Sequence, residues 1–168
     1  ANISRVFGEL ITLIEPDKRS HGAIPMKCKL PSGEEFTVPS NLYIIGTMNT
    51  ADKSIALLDI ALRRRFVFEA MYPKYEIPGA KVEDAEILER INKEVIKSKG
   101  HDFQIGHSYF MDSNEDPYNF ERRMNLKVIP LLLEYYMNDE KEVKNILTTA
   151  GLEVDTEAWP MRINGRRD

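Results

Sequence analysis

The chain has 168 residues, enough for one ordinary domain or slightly more with a core of useful size. A composition that is 42% hydrophobic and 30% charged is that of a globular chain, and a formal net charge of -4 excludes a wholesale nucleic-acid coat while leaving room for a local basic patch. The single cysteine, Cys28, excludes an internal disulfide framework and favours a reducing compartment; no apolar run nears the roughly 20 residues that cross a bilayer, so the cytoplasm is the default location.

Ile3, Val6, Phe7, Leu10, Leu13 and Ile14 recur at helical spacing and predict an amphipathic helix over 3–15, capped by Asn2 and stopped before Pro16. A helical face that begins so near the first residue points to a fragment of a longer chain. After a polar loop over 16–23, Met26, Cys28 and Leu30 alternate with lysines, Pro31-Ser32-Gly33 turns the chain, and Phe36 and Val38 resume the alternation. This predicts a hairpin over 26–38 with one wet face.

Leu42 to Gly46 is too short for a helix and too apolar for an edge, which predicts a strand over 42–47 covered on both faces. Ile55, Leu58, Ala61 and Leu62 then predict a helix that ends in Arg63-Arg64-Arg65, and Phe66-Val67-Phe68 predicts a second short strand over 66–69. Strand, corner, helix and strand in this order indicate α/β layering. Beyond Pro73 and Pro78-Gly79 the pattern is helical: Ile87 to Ile96 stopped at Gly100, a second run over 118–136 that Pro130 kinks or restarts, and a third over 140–149 stopped by Gly151. The predicted organisation is a partial α/β core over 1–75, an all-helical part over 76–152 and a tail over 153–168. Around Trp159 that tail is open to reading as a docked strand, a disordered end or an appendage.

Asn49 follows an apolar strand, where ligands sit in open α/β sheets, and can orient a water or a phosphate oxygen beside Asp52 and Lys53. The plainer alternative is that Asn49, Thr50 and Asp52 cap the next helix. The three arginines complement a helix dipole, at about 0.3 to 1 kcal/mol each when exposed, or one of them reaches a phosphoryl group with its planar five-donor fork. Gly106, His107 and Ser108 start a further helix; the alternative is that His107 and Ser108 cap it while Tyr109 and Phe110 pack in a core. His21 and His101 have no partner at zinc-site spacing.

Residues 41–66, NLYIIGTMNTADKSIALLDIALRRRF, strongly resemble the second half of the AAA+ module of the McrB family, the GTP-dependent motor subunits of modified-cytosine restriction systems. MNTADKS matches that family's corner and ALRRRF its arginine-finger region. Residues 2–15 look like the helix after the acidic Walker B strand, and FQIGHSYF (103–110) with VIPLLLEYY (128–136) look like the lid.

The resemblance implies an α/β core with an all-helical lid, the C-terminal half of a P-loop NTPase module. It implies that Asn49 is the sensor-1 group near the γ-phosphate and attacking water, with Thr50, Asp52 and Lys53 beside it. Lys53 stands where relatives often have Arg, which keeps the charge and loses the bidentate fork. Arg64 is then the finger toward a neighbouring subunit's nucleotide, Arg65 the second choice, and Arg63 serves the helix end or a salt bridge. Gly106, His107 and Ser108 lie in the sensor-2 region. Implied cofactors are Mg2+ with GTP or ATP, and implied partners are a homo-oligomeric ring (a hexamer), an McrC-like nuclease subunit and DNA bound through another domain, with no membrane.

These 168 residues contain no G-x-x-x-x-G-K-S/T loop and no apolar strand ending in Asp-Glu. The chain taken alone is therefore expected to hold no nucleotide and to be inactive, and its sheet to pair with another copy or to be altered. The alternatives are another AAA+ remodelling ATPase of MoxR or dynein type, or a non-catalytic docking module built on the arginine patch and helical bundle.

Overall fold

A computed structural model describes residues 8, 10–51, 60–111, 120–155 and 157–166 of the chain. It divides into two units, residues 1–70 and 71–168.

In the first unit, helix α1 (Leu10–Leu13) precedes a 3-10 turn at Pro16–Lys18. Glu15 between them is extended (φ -62, ψ 135), because the ring of Pro16 clashes with a helical predecessor; the predicted stop before Pro16 is therefore seen. Strands β1 (Cys28–Lys29) and β2 (Glu35–Phe36) pair antiparallel with Cys28 opposite Phe36, as the alternation predicts. Gly33 supplies the left-handed turn residue (φ +90). Arg19 ties two segments together, its Nε donating to the Ile14 carbonyl at 3.0 Å and its Nη1 to the Leu42 carbonyl at 2.6 Å. Helix α2 (Ile60–Arg63) ends this unit's regular structure.

The two strands expected at 42–47 and 66–69 do not form. Residues 42–49 join no ladder, and Tyr43 and Ile45 are 89% and 93% exposed. Residues 67–70 likewise carry no ladder, and Val67 is exposed. The sequence has the apolar character of buried strands, but a strand is stable only when a neighbour takes its N–H and C=O groups and covers its faces. No described segment of this unit does so.

The second unit is a helical body with a hairpin. Helix α3 (Ala85–Lys99) buries Ile87, Leu88, Ile91, Asn92 and Val95 along one stripe. It stops at Gly100, whose φ of +93 only glycine adopts without strain, and whose N–H closes on the Ile96 carbonyl at 3.0 Å. Two 3-10 turns follow, His101–Phe103 and His107–Phe110. Then α4 (Phe120–Arg123), a π-turn (Met124–Val128) and α5 (Ile129–Tyr135) run continuously. Pro130 sits in the first turn of α5, the restart that its position predicts. Its missing N–H and bulky ring are accommodated by widening the preceding turn, where the Ile129 N–H reaches the Met124 carbonyl five residues back. Asp139 caps α6 (Glu140–Thr149), accepting from the Lys141 and Glu142 amides at 3.1 and 3.2 Å.

After Gly151 (φ +89), β3 (Leu152–Asp155) pairs antiparallel with β4 (Arg162–Arg166). The residues around Trp159 thus lead into a docked strand, one of the three readings left open. Met161 and Ile163 enter the same core as α3, α5 and α6, and the Asn125 amide brackets Ile163, accepting its N–H at 2.8 Å and donating to its carbonyl at 3.3 Å. Trp159 itself stays exposed.

Candidate functional site

The polar corner after the expected sensor strand is a side-chain turn. The Asn49 Oδ1 accepts the Ala51 N–H at 3.1 Å, so its carbonyl oxygen satisfies the backbone two residues on, as asparagine commonly does in turns. Asn49 and Thr50 are both exposed. Asp52 and Lys53 lie outside the described residues.

The arginine cluster sorts itself by environment. The Arg65 Nη2 lies 2.5 Å from Glu15 Oε1, and its side chain is only 5% exposed. Arg64 Nη2 approaches the same oxygen no nearer than 3.8 Å, with its side chain 68% exposed. Arg63 places its guanidinium carbon 5.6 Å from the centroid of the Phe68 ring, a cation–π arrangement. One carboxylate therefore anchors Arg65 tightly and touches Arg64 only weakly. Both are set by the end of α2, whose last turn carries the Arg64 amide to the Ile60 carbonyl and the Arg65 amide to the Leu62 carbonyl.

In the second unit, Gly106 precedes the His107–Phe110 turn in extended conformation (φ -67, ψ 141), and no side chain caps that turn. This corrects the capping role considered for His107 and Ser108. The packing half of that reading stands, since Phe110 is fully buried and Tyr109 packs partly against the core. His107 instead uses its ring: Nδ1 accepts the Lys74 N–H at 3.2 Å. Ser108 is exposed.

Asn92 holds the segment before this turn. Its Oδ1 accepts the Ile105 N–H at 2.7 Å, and its Nδ2 donates to the Ile105 carbonyl at 3.0 Å and to the Tyr75 hydroxyl at 3.3 Å. A buried amide that satisfies one residue's N–H and C=O reproduces a strand partner inside a helical core. Sequence reasoning missed Asn92, Glu15 and the Lys74 amide. Asn92 left a readable signal, a polar residue on the apolar stripe of Leu88, Ile91 and Val95. Glu15 and a backbone amide left none.

Near α3, Arg123 is almost wholly buried, and its Nη2 donates to Glu83 Oε2 at 3.3 Å. Hydrogen bonds from Arg123 and then Lys81 hold the Glu83 carboxyl below the usual carboxylate range. Among the described residues no three His, Cys, Asp or Glu side chains converge as a metal site would require.

A helical body with a docked hairpin, preceded in sequence by short helices, a small hairpin and an arginine-tipped helix, fits an AAA+ lid portion. The comparisons give the kind. Residues 83–144 match the family model described as McrB, alpha-helical lid domain. The chain is 37% identical over 161 residues to the Type IV methyl-directed restriction enzyme EcoKMcrB subunit of Escherichia coli (strain K12), a match covering 83% of this chain and 35% of that protein. It is 34% identical over 79 residues to the Type II restriction enzyme BsuMI component YdiS of Bacillus subtilis (strain 168), covering 41% of this chain and 23% of that protein. Residues 83–144 thus match an McrB-type lid, and together with the longer alignment this supports reading the chain as a C-terminal part of an McrB-type AAA+ module. It spans about a third of the length of the first relative and under a quarter of the second. Among the described residues no helix is long and apolar enough to cross a membrane.

Proposed function

We propose that the protein containing this chain is an McrB-like AAA+ nucleoside-triphosphatase, using GTP in preference to ATP, that acts in the cytoplasm within a restriction system. It works as a homo-oligomeric ring, a hexamer, and drives an McrC-like nuclease on modified DNA bound through a domain outside these residues. The match of residues 83–144 to the McrB lid, beside a restriction subunit aligned over most of the chain, is the observation that carries this reading.

Within that reading Arg64 is the arginine finger. Arg63 and Arg64 are both exposed, but Arg63 lies against the Phe68 ring, while Arg65, bound to Glu15, serves as support rather than as a second finger. A guanidinium placed against the transferring phosphoryl group stabilises charge that develops in the transition state, so its effect falls on turnover more than on binding. Asn49 orients the attacking water, with Thr50, Asp52 and Lys53 lining the same corner. The turn at Gly106, His107 and Ser108 meets the nucleotide from the lid. When bound, Mg2+ neutralises phosphate charge, and its ligands belong to segments outside this chain; nucleotide binding requires those segments too.

The test is nucleotide hydrolysis by the full-length protein and its Arg64→Ala variant. Loss of turnover on the order of 10³-fold or more with binding retained supports the assignment; equal loss of binding and turnover contradicts it.

A further inference from the structure

We propose that Asn164 is a site of spontaneous deamidation: the Gly165 amide nitrogen attacks the Asn164 side-chain carbonyl carbon, and the isoaspartate that follows unclasps Arg166 from Asp84 at the end of the docked hairpin. The inference stands independently of the function proposed above.

Asn164-Gly165 is the one asparagine–glycine pair in the sequence. As the bond from the Gly165 nitrogen to the Asn164 Cγ forms, the Cγ–Nδ2 bond breaks and ammonia leaves with the amide proton; water then opens the succinimide to aspartate or isoaspartate. The attack needs an uncrowded nitrogen and a chain able to turn about Asn164. Gly165 has no side chain, and the nearest atom to a Cβ placed there is Glu121 Oε1 at 4.0 Å, an ordinary contact. Its φ of +151 is a value open to glycine. Ile163 stands opposite Val154 and Gly165 opposite Glu153, so Asn164 is the extra residue of a β-bulge, exposed and faced by no residue of β3. Asn92 and Asn125, by contrast, are followed by Lys93 and Leu126, and both commit their amides to main-chain groups.

The Asn164 Nδ2 donates to Asp155 Oδ2 at 3.4 Å, while Oδ1 of the same carboxylate accepts the Glu157 and Ala158 N–H groups. Deamidation replaces that donor with a second carboxylate, so a hydrogen bond becomes a like-charge contact. In isoaspartate the main chain also runs through the former side chain and gains a methylene, which shifts Gly165 and Arg166 along β3. Arg166 has two attachments to lose: its Nη2 donates to Asp84, and its guanidinium carbon lies 4.7 Å from the centroid of the Phe120 ring. Ile163 is held separately by Asn125, so the change stops short of the core. One slow covalent step thus frees the end of the hairpin and leaves its root docked.

The experiment is incubation of the folded chain in mildly alkaline buffer, with peptide mapping by mass spectrometry over time. Trypsin releases residues 163–166 as one peptide. That peptide should gain the mass of an amide-to-acid exchange before any peptide carrying Asn92, Asn125 or Asn138 does, and an isoaspartyl methyltransferase should label it. Asn164→Gln should abolish the gain. Conversion of Asn164 only after unfolding in urea, with none in the folded chain, overturns the inference, as does earlier conversion at another asparagine. Converted protein, separated by anion exchange, reads the consequence: amide hydrogen exchange over 164–166 should rise several-fold while that of Ile163 stays as in the parent. Unchanged exchange over 164–166 in converted protein overturns the unclasping of Arg166.

Discussion

Arg65 Nη2 and Glu15 Oε1 lie 2.5 Å apart with the arginine almost wholly buried, so this pair is a structural fastening inside the first unit rather than a surface contact. Arg65 also has a further interaction of its own. Its neighbour Arg64 shares the acceptor at 3.8 Å and remains largely in solvent. Adjacent residues of one type therefore have separable jobs.

That separation makes the first prediction. Arg65→Ala should destabilise the chain by on the order of 2 kcal/mol, through a lost charge-assisted bond and lost packing of the arginine stem. Arg64→Ala should stay within about 0.5 kcal/mol of the parent, as exposed ion pairs contribute little. Urea denaturation midpoints of the two variants check the contrast.

Removing the Glu83 carboxylate leaves the buried Arg123 guanidinium without its ion pair. Glu83→Gln keeps the shape and removes the charge. It should cost on the order of 2 to 3 kcal/mol, the lower range for breaking a buried pair, because Glu83 is itself about a third exposed. Thermal unfolding followed by far-ultraviolet circular dichroism reads the loss.

Acid should loosen the second unit. The Glu83 carboxyl is held below its usual range by Arg123 and Lys81, and the Asp155 carboxyl by the Glu157 and Ala158 backbone amides. Both groups bind protons less tightly folded than unfolded. Their contribution is fully present above the ordinary carboxylate range of about 4 and is lost as pH falls through the lowered folded values. Unfolding free energy measured between about pH 7 and pH 3 should fall over that acid limb, with a shallower slope in Glu83→Gln.

Asn92→Ala should be more damaging than its single amide suggests, because it strips partners from both the N–H and C=O of fully buried Ile105. A cost of about 2 to 4 kcal/mol is expected, and hydrogen exchange at the Ile105 amide should accelerate ahead of the rest of the core.

Much of the second unit was legible in the sequence because its order is local. Ile87, Leu88, Ile91 and Val95 repeat at helical spacing, Gly100 and Gly151 stop their helices, and the core those stripes build lies within the unit. The π-turn before Pro130 was not legible, since sequence marks the missing donor but not how neighbouring turns absorb it. In the first unit Tyr43 and Ile45 have strand character and no strand, because a ladder depends on partners that residue type alone does not supply. The site was legible as residue types at motif spacing. Which arginine is buried depended on Glu15, fifty residues from Arg65 in sequence, and nothing local marks that pairing.

The central claim is that Arg64 serves a nucleotide on a neighbouring subunit. It is tested most directly by mixing full-length Arg64→Ala protein with full-length protein altered in its own phosphate-gripping lysine, and measuring GTP hydrolysis. If the finger acts across the interface, two variants inactive alone regain turnover in mixed rings, where an intact finger meets an intact site. No recovery in rings shown to contain both variants, or full activity of Arg64→Ala alone, contradicts the account.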